Sequence, residues 1–512
     1  MTHANREKRD DRLRAAAAGL SAAVVGVGAA ELVAAIVEPA ASPFAVIGSG
    51  LIDLAPSWAK DTAIALFGTG DKVALLVGIA IVLAVVAALA GVLELRRSGV
   101  GAVILGALGA LAVVAAMIRP GAGPFAFLPG IVAGLVAVLV LQFLIRRLRP
   151  VAGLPVDGAD RRRFLVWTAG AAAVGVATLI VGNVARGATR SIEAVRDALR
   201  LPSAARKAAA VSAGAELDIL GLAPVVTPNA DFYRIDTALI VPRIDPADWS
   251  LRIHGMVDRE VVISWDELLA LPMQEADVTL ACVSNEVGGS LIGNARWLGH
   301  PIRELLARAG VSADADMVLS TSSDGFTAST PLEALTDDRD SLLAVGMNGE
   351  PLPLEHGFPV RMVVPGLYGY VSATKWVTQL EVTRFDRAQA YWTPRGWSER
   401  GPIKLQSRID VPRGSVDAGE TVIAGMAWQQ HVGVEGVEVR IDDGEWQRAE
   451  LATAISDDTW VQWSVPWTAE SGRHSIECRA IGAEGETQTP DRAAPAPDGA
   501  QGWHRIEVSV GA

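Results

Sequence analysis

Cysteine and histidine are scarce in this chain, and the shortage narrows its chemistry. Only two cysteines, Cys282 and Cys478, stand among 512 residues, far apart. Two such thiols cannot build a disulfide framework, an iron–sulfur ligand set or a CxxCH haem attachment. The seven histidines are His3, His254, His300, His356, His431, His474 and His504. None falls within the long apolar runs described below, so those runs offer no axial ligand to a b-type haem, and no haem is expected. Basic charge is short in the second part of the chain. Residues 1–190 hold 18 Lys and Arg against 11 Asp and Glu, a balance of +7, so the total of −12 leaves −19 for residues 191–512. A surface that acidic does not bind a phosphate backbone, which excludes nucleic acid as a partner.

What is present in quantity is apolar residue. Half the chain is hydrophobic, with a mean hydropathy of +0.31, and 512 residues exceed one ordinary domain. Five apolar runs, at 15–37, 73–95, 99–118, 124–145 and 164–184, each approach the ~20 residues that cross a bilayer as a helix. Thirteen basic residues (Arg6, Lys8, Arg9, Arg12, Arg14, Arg96, Arg97, Arg146, Arg147, Arg149, Arg161, Arg162 and Arg163) fall on one side if the N-terminus is cytoplasmic. The other side has Lys60, Lys72 and Arg119. Five spans then place residues 185–512 outside the cytoplasm. The stretch 44–70, broken by Asp53, Pro56, Lys60 and Asp61, reads as interfacial or re-entrant. Glu31, inside the first run, is either functional or a carboxylate turned toward other helices. Arg161, Arg162, Phe164 and Leu165 look like a twin-arginine export signal ahead of an apolar helix; a plain cytoplasmic anchor of arginines is the simpler reading.

Residues 185–215 read as a linker. From 216 to 403, strand-like runs (249–257, 315–322, 358–366) alternate with helical ones (266–272, 302–310), the pattern of an α+β domain. From 404 onward helical signals stop. Residues 437–451 alternate around a turn expected at Asp443-Gly444, and 459–467 and 474–482 alternate likewise, which suggests an Ig-like β-sandwich. Cys478 shares a face with Ile476 and Ala480 and is expected in its core, while 483–503 reads as a long loop. The fold class is therefore multi-domain: a five-helix all-α transmembrane bundle, an α+β domain and a C-terminal sandwich.

The other thiol has different surroundings. In TLACVSNEVGGSLIGNARWLG (279–299), an apolar lead ends at Cys282, followed by Ser, Asn and a Gly-Gly turn. A thiol at the end of a strand, before a loop, suits a soft transition metal, and a buried inert thiol is the competing reading. Around it lie FYR (232–234), Asn285, ARW (295–297) followed by a helix, MNGEPLP (347–353), HGFPVRMVVPG (356–366) and TKW (374–376).

In order and spacing these segments resemble the sulfite oxidase-like molybdopterin oxidoreductases over about 300 residues, from about 215 to 510. The resemblance implies a molybdopterin-binding domain of sulfite oxidase type and a molybdenum–molybdopterin cofactor. It implies that Cys282 ligates the metal and that Arg234 joins it in catalysis. It implies that Tyr233, Arg234, Asn285, Asp324, His356, Arg361, Ala373, Thr374 and Lys375 hold the cofactor. Arginine forks match phosphate oxygens and lysine adds a point charge. From the residues alone, His356 and Arg361 could equally form a structural turn. The C-terminal region resembles the family's dimerisation domain, which implies a homodimer.

The chain also departs from the family. Where sulfite oxidases place an arginine five residues after the cysteine, it has Val287, preceded by Glu286; the family's active-site tyrosine falls at Val345. The loop 286–296 offers no counterpart of a substrate-pocket tryptophan. A dianion such as sulfite then lacks cations beside the metal, so a less charged small oxo-compound, such as a sulfoxide, is the expected substrate of a two-electron oxygen-atom transfer. A sulfite oxidase proper and a non-catalytic membrane-tethered binding protein remain the alternatives. With no second redox centre in the chain, electrons need a separate partner, a cytochrome or a quinone system.

Overall fold

A computed structural model describes residues 3–37, 41–54, 62, 71–119, 122–148, 158–188 and 192–511. The chain divides into two compact units, one of Met1–Ser191 with Thr237–Ile240, the other of Ile192–Asp236 with Val241–Ala512.

The first unit is helical. Helices His3–Val37, Asp71–Arg96, Val100–Met117, Leu128–Leu148 and Gly158–Ala188 contain five segments long and apolar enough to cross a membrane by length and composition. The first packs against the second, fourth and fifth. Small residues allow the approach: a Cβ on Gly19 would lie 1.9 Å from the Ala87 carbonyl oxygen, and one on Gly91 would lie 1.9 Å from that of Ala15. Outward positions are apolar and exposed, as at Val82, Val103 and Leu139. The two buried carboxylates do structural work. Glu31 accepts a hydrogen bond from Ser42 Oγ at 2.7 Å, and Glu94 accepts from Gly99 N–H at 2.8 Å and Ala102 N–H at 3.0 Å, capping the following helix. Of the stretch 44–70, the described part is a 12-residue helix, Pro43–Leu54, too short to span. Residues 55–61 and 63–70, Arg149, and residues 189–191 of the expected linker lie outside the described residues, as do the side chains of Lys72 and Arg161.

The second unit is mainly β. Its first sheet contains β1 (Ser250–Gly255), β2 (Val261–Ser264), β5 (Met317–Ser322), β6 (Thr327–Pro331) and β10 (Val377–Thr383) in the order β2-β1-β10-β5-β6, with β1 and β10 parallel. Its second runs β3 (Gln274–Ala281), β4 (Ile292–Pro301), β7 (Leu342–Met347) and β8 (Glu350–Pro351), with β9 (Arg361–Val363) also on β7. Helix Trp265–Ala270 starts at a capping box, in which Ser264 and Glu267 each bond the other's backbone. Leu251, Ile253, Ile302, Leu306, Val345 and Leu380 fill one core; Trp297, Val278, Leu280 and Phe358 fill another.

The remaining strands make two more sheets. One runs β11 (Gln406–Val411), β13 (Gly419–Trp428), β17 (Val461–Ala469) and β16 (Glu450–Leu451). The other runs β12 (Ser415–Asp417), β19 (His504–Gly511), β18 (Gly472–Gly482), β14 (Val434–Ile441) and β15 (Gln447–Arg448). They share a core of Ile423, Trp463, Val437, Ile476, Cys478 and Val508. Cys478 is fully buried there, and burial pushes its thiol up to about 12.

Two local expectations need correction. The β14–β15 turn is centred on Asp442 and Asp443, both at positive φ, with Gly444 N–H bonding back to Ile441. Two positive-φ residues match strand twist, and aspartate tolerates them. Of the strand read over 358–366 only Arg361–Val363 pairs, because Pro359 and Pro365 have no N–H to give. The helix read at 302–310 is present as Ile302–Ala309, following β4, which runs through Pro301.

A buried polar knot joins the later sheets to β3 and β4. Asn294, fully buried, accepts from Thr279 Oγ1 at 3.0 Å and donates Nδ2 to the Val225 carbonyl at 2.9 Å. Trp460 N–H and Gln430 Nε2 bond Thr279 at 2.9 and 3.1 Å. Asn294→Ala leaves the Val225 carbonyl and the Thr279 hydroxyl short of partners, and should lower the unfolding free energy by about 1–3 kcal/mol. Denaturant unfolding of the detergent-solubilised protein, followed by tryptophan fluorescence, measures it.

Candidate active site

Strand β3 is buried at seven of its eight positions, and it delivers Cys282 to the first position past its end. The thiol is 8% exposed. The loop after it is short and closed on itself: Cys282 N–H bonds the Leu291 carbonyl at 2.9 Å, Asn285 N–H bonds the Cys282 carbonyl at 3.0 Å, and Asn285 Oδ1 accepts from Leu291 N–H at 2.8 Å. Ser284 N–H points at the Cys282 sulfur from 3.4 Å. Burial raises the thiol's pKa, opposed by Ser284 and by the charge of Lys375.

Arg361 and Lys375 are brought together by an antiparallel bridge between their backbones. Arg361 is 5% exposed. It donates to the carbonyls of His356 (3.1 Å) and Met362 (3.3 Å) and lies 4.9 Å over the Trp297 ring. No acidic side chain pairs with it among the described residues, and burial lowers it to about 10. Lys375 donates to Asp236 Oδ2 at 2.7 Å and to the Glu355 carbonyl at 2.9 Å. Asp236 also accepts from Arg234 Nε at 3.0 Å. His356 is held down to about 3 by burial and then by Arg361, Lys375 and Arg234, so it is neutral, with Nε2 3.2 Å from the Asn229 carbonyl. Tyr233 stacks on Phe232 at 5.3 Å. Its phenol is raised by burial and by Cys282 and lowered by Arg361, so both groups lie close enough to act on it. A cavity of about 390 Å³, lined by Phe232, Arg234, Arg243, Leu354, Glu355 and His356 among others, opens beside these groups.

Tyr233, Cys282, His356, Arg361 and Lys375 thus form one electrostatic cluster, joined to Arg234 through Asp236. The other expected residues have local bonds. Asn285 closes the thiol's loop. Thr374 Oγ1 meets Ser320 Oγ at 2.7 Å in the core, and its carbonyl accepts from Met362 N–H. Ala373 N–H bonds the Gly369 carbonyl. Asp324 turns the β5–β6 hairpin, accepting from Phe326 N–H at 3.3 Å, and no hydrogen bond or ion pair joins it to the cluster among the described residues. Val345, at the position of the family's tyrosine, is fully buried in apolar core. Sequence reasoning missed Asp236, although a carboxylate two residues after Arg234 signals a clamp. It also missed Tyr368, a buried phenol pushed up to about 12 by burial, with a contribution from Cys282.

The donor set fits an anionic pterin cofactor. A buried guanidinium without a carboxylate calls for an anion. Arg234, Arg243 and a neutral imidazole line a cavity of ligand size, and a soft thiol stands at the cluster's edge.

Lys375 sets a pH limit on anion binding. Burial holds it down to about 8, with Asp236 pulling it back up. Its charge is present below that pH and lost as the pH rises through it. Calorimetric titration of cofactor-free protein with inorganic phosphate should show weaker binding at about pH 9 than at about pH 7. Asp236→Asn should move the fall to lower pH. Equal affinity at both pH values in the unsubstituted protein would contradict this account.

Residues 238–392 match the model of the oxidoreductase molybdopterin binding domain. Mouse mitochondrial sulfite oxidase is 31% identical over 342 residues, 56% of this chain and 62% of that protein. The chain therefore spans less than two thirds of the length of the mammalian sulfite oxidases it matches. The uncharacterized oxidoreductase YuiH of Bacillus subtilis is 34% identical over 157 residues, 31% of this chain and 76% of that protein. Rice NADH nitrate reductase 1 is 31% identical over 220 residues, 38% of this chain and 23% of that protein. The match to the domain model encloses Cys282, His356, Arg361 and Lys375, the last two of which are buried cations suited to an anionic ligand. This chain belongs to the sulfite oxidase-like molybdopterin oxidoreductases and is an enzyme that uses the molybdenum cofactor.

Proposed function

We propose that the protein is a membrane-anchored oxidoreductase working outside the cytoplasm, with Cys282 ligating molybdenum and a small, weakly charged oxo-compound as substrate. The observation that carries this is the thiol at the end of β3 beside buried cations that lack enough carboxylate partners. When bound, the cofactor supplies a two-electron centre for oxygen-atom transfer. The chain's own residues hold and orient it. Arg361 presents a donor to it and the neutral His356 an acceptor nitrogen, Lys375 and Arg234 add positive charge tempered by Asp236, and Tyr233 stands near the thiol. Ala373 and Thr374 contribute through the backbone beside Lys375, and Asn285 fixes the loop. Asp324 is kept as a weaker contact.

Charge argues against sulfite. Lys375 and Arg234 share Asp236, and the loop after Cys282 offers Glu286 and Val287 where a cation would be needed. A dianion would meet little net positive charge near the sulfur; a neutral oxo-compound meets hydrogen-bond donors without that cost.

In this reading residues 1–184 anchor the protein through five spans, with the N-terminus cytoplasmic. Residues 161–165 act as an internal twin-arginine signal, and 185–215 link to a catalytic domain at 216–403. Residues 404–512 form an Ig-like dimerisation domain, supported by two sheets around one core. Electrons pass to or from a separate cytochrome or quinone system.

Two outcomes test the proposal. Protein matured in a cofactor-competent host should contain about one molybdenum per chain by metal analysis, lost on Cys282→Ser; retention of the metal by the serine variant would sink the ligand assignment. With an artificial electron dye, turnover should be higher on a sulfoxide in the reducing direction than on sulfite in the oxidising one; fast sulfite oxidation would restore that ion as substrate.

A further inference from the structure

The loop that aims Cys282 is held from outside its own domain. Arg408, on β11, donates Nη1 to the Gly289 carbonyl at 2.8 Å. Its other nitrogens fork onto Asp410, Nε to Oδ1 at 2.8 Å and Nη2 to Oδ2 at 3.2 Å. The guanidinium is almost fully buried and Asp410 completely so. One position earlier in the loop, Gly288 has φ +78, and a Cβ there would lie 2.2 Å from His504 Nε2. His504 in turn accepts the Ile409 N–H on Nδ1 at 2.9 Å, which leaves the ring proton on the nitrogen facing Gly288. On the inner side, Asn285 ties the loop across Leu291, and Ser284 N–H points at the sulfur. An unbroken set of contacts therefore runs from Asp410 through Arg408 and Gly289 to the segment that orients the thiol.

We infer that Arg408 is a positioning residue for Cys282, fixing the thiol's loop through the Gly289 carbonyl while Asp410 cancels its charge. The inference rests on Cys282 being the metal ligand. Because Asp410 neutralises it, Arg408 does not replace the cation missing at Val287; it acts by geometry. The planar guanidinium satisfies a carboxylate fork and a carbonyl at once, which a lysine ammonium does less completely. Arg408 and His504 grip the loop on adjacent residues, so a shift of either reaches Cys282 through the hydrogen bonds at Asn285.

The test uses full-length, detergent-solubilised holoenzyme carrying Arg408→Gln or Arg408→Lys. Amide hydrogen exchange over residues 284–291 should be roughly tenfold faster in the glutamine variant and less affected in the lysine variant. At unchanged molybdenum content, the electron paramagnetic resonance signal of the half-reduced metal should shift in the glutamine variant and return toward the original with lysine. Unchanged loop exchange overturns the clamp. Faster exchange with an unaltered metal signal overturns positioning, leaving Arg408 a domain staple. Should the glutamine variant fail to fold, Arg408→Lys and His504→Gln carry the same comparison. Failure of the ligand assignment is read separately, as molybdenum kept by Cys282→Ser while loop exchange still responds to Arg408.

Discussion

Arg361 sits in apolar surroundings with no carboxylate among the described residues, and much of the site's arrangement follows from that charge. A buried unpaired cation costs several kcal/mol, which the protein offsets with two carbonyls and the face of Trp297. An anionic cofactor removes the remaining cost on binding. His356 stays neutral because it is buried and because Arg361 and Lys375 already supply local charge. Asp236, deep among the cations, keeps Lys375 and Arg234 from repelling each other and sets how much positive field is left for a substrate.

The later sheets complete the thiol's surroundings. Thr279, three residues before Cys282, bonds Asp458, Trp460 and Gln430, and Arg408 and His504 hold the far side of the loop. A strand end is a soft place to mount a reactive sulfur unless its loop is braced from both sides. Here one brace is Asn285, inside the loop, and the other comes from a hundred residues or more downstream.

Much of this was legible in the sequence where a period or a motif carried it. Apolar runs gave the five long helices, alternation gave β14, β17 and β18, and the buried face of Cys478 followed from its neighbours at two-residue spacing. Short motifs pointed at Tyr233, Cys282, His356, Arg361 and Lys375, which the fold does gather. What escaped notice depends on distant pairing. Asp236 matters because it meets Lys375, and Arg408 because it meets Gly289. No local pattern encodes either encounter. Asp324 is the reverse case, a motif residue whose hydrogen bond stays within its own hairpin.

In the first β sheet, β10 lies between β1 and β5, although it is made more than fifty residues after β5. Until residue 383 has left the ribosome, β1 and β5 have no shared neighbour, and Arg361, made earlier, has to wait for Lys375 to form its bridge. Cofactor capture is therefore a late event in the life of the chain. The five long apolar helices are made first, while that pocket does not yet exist.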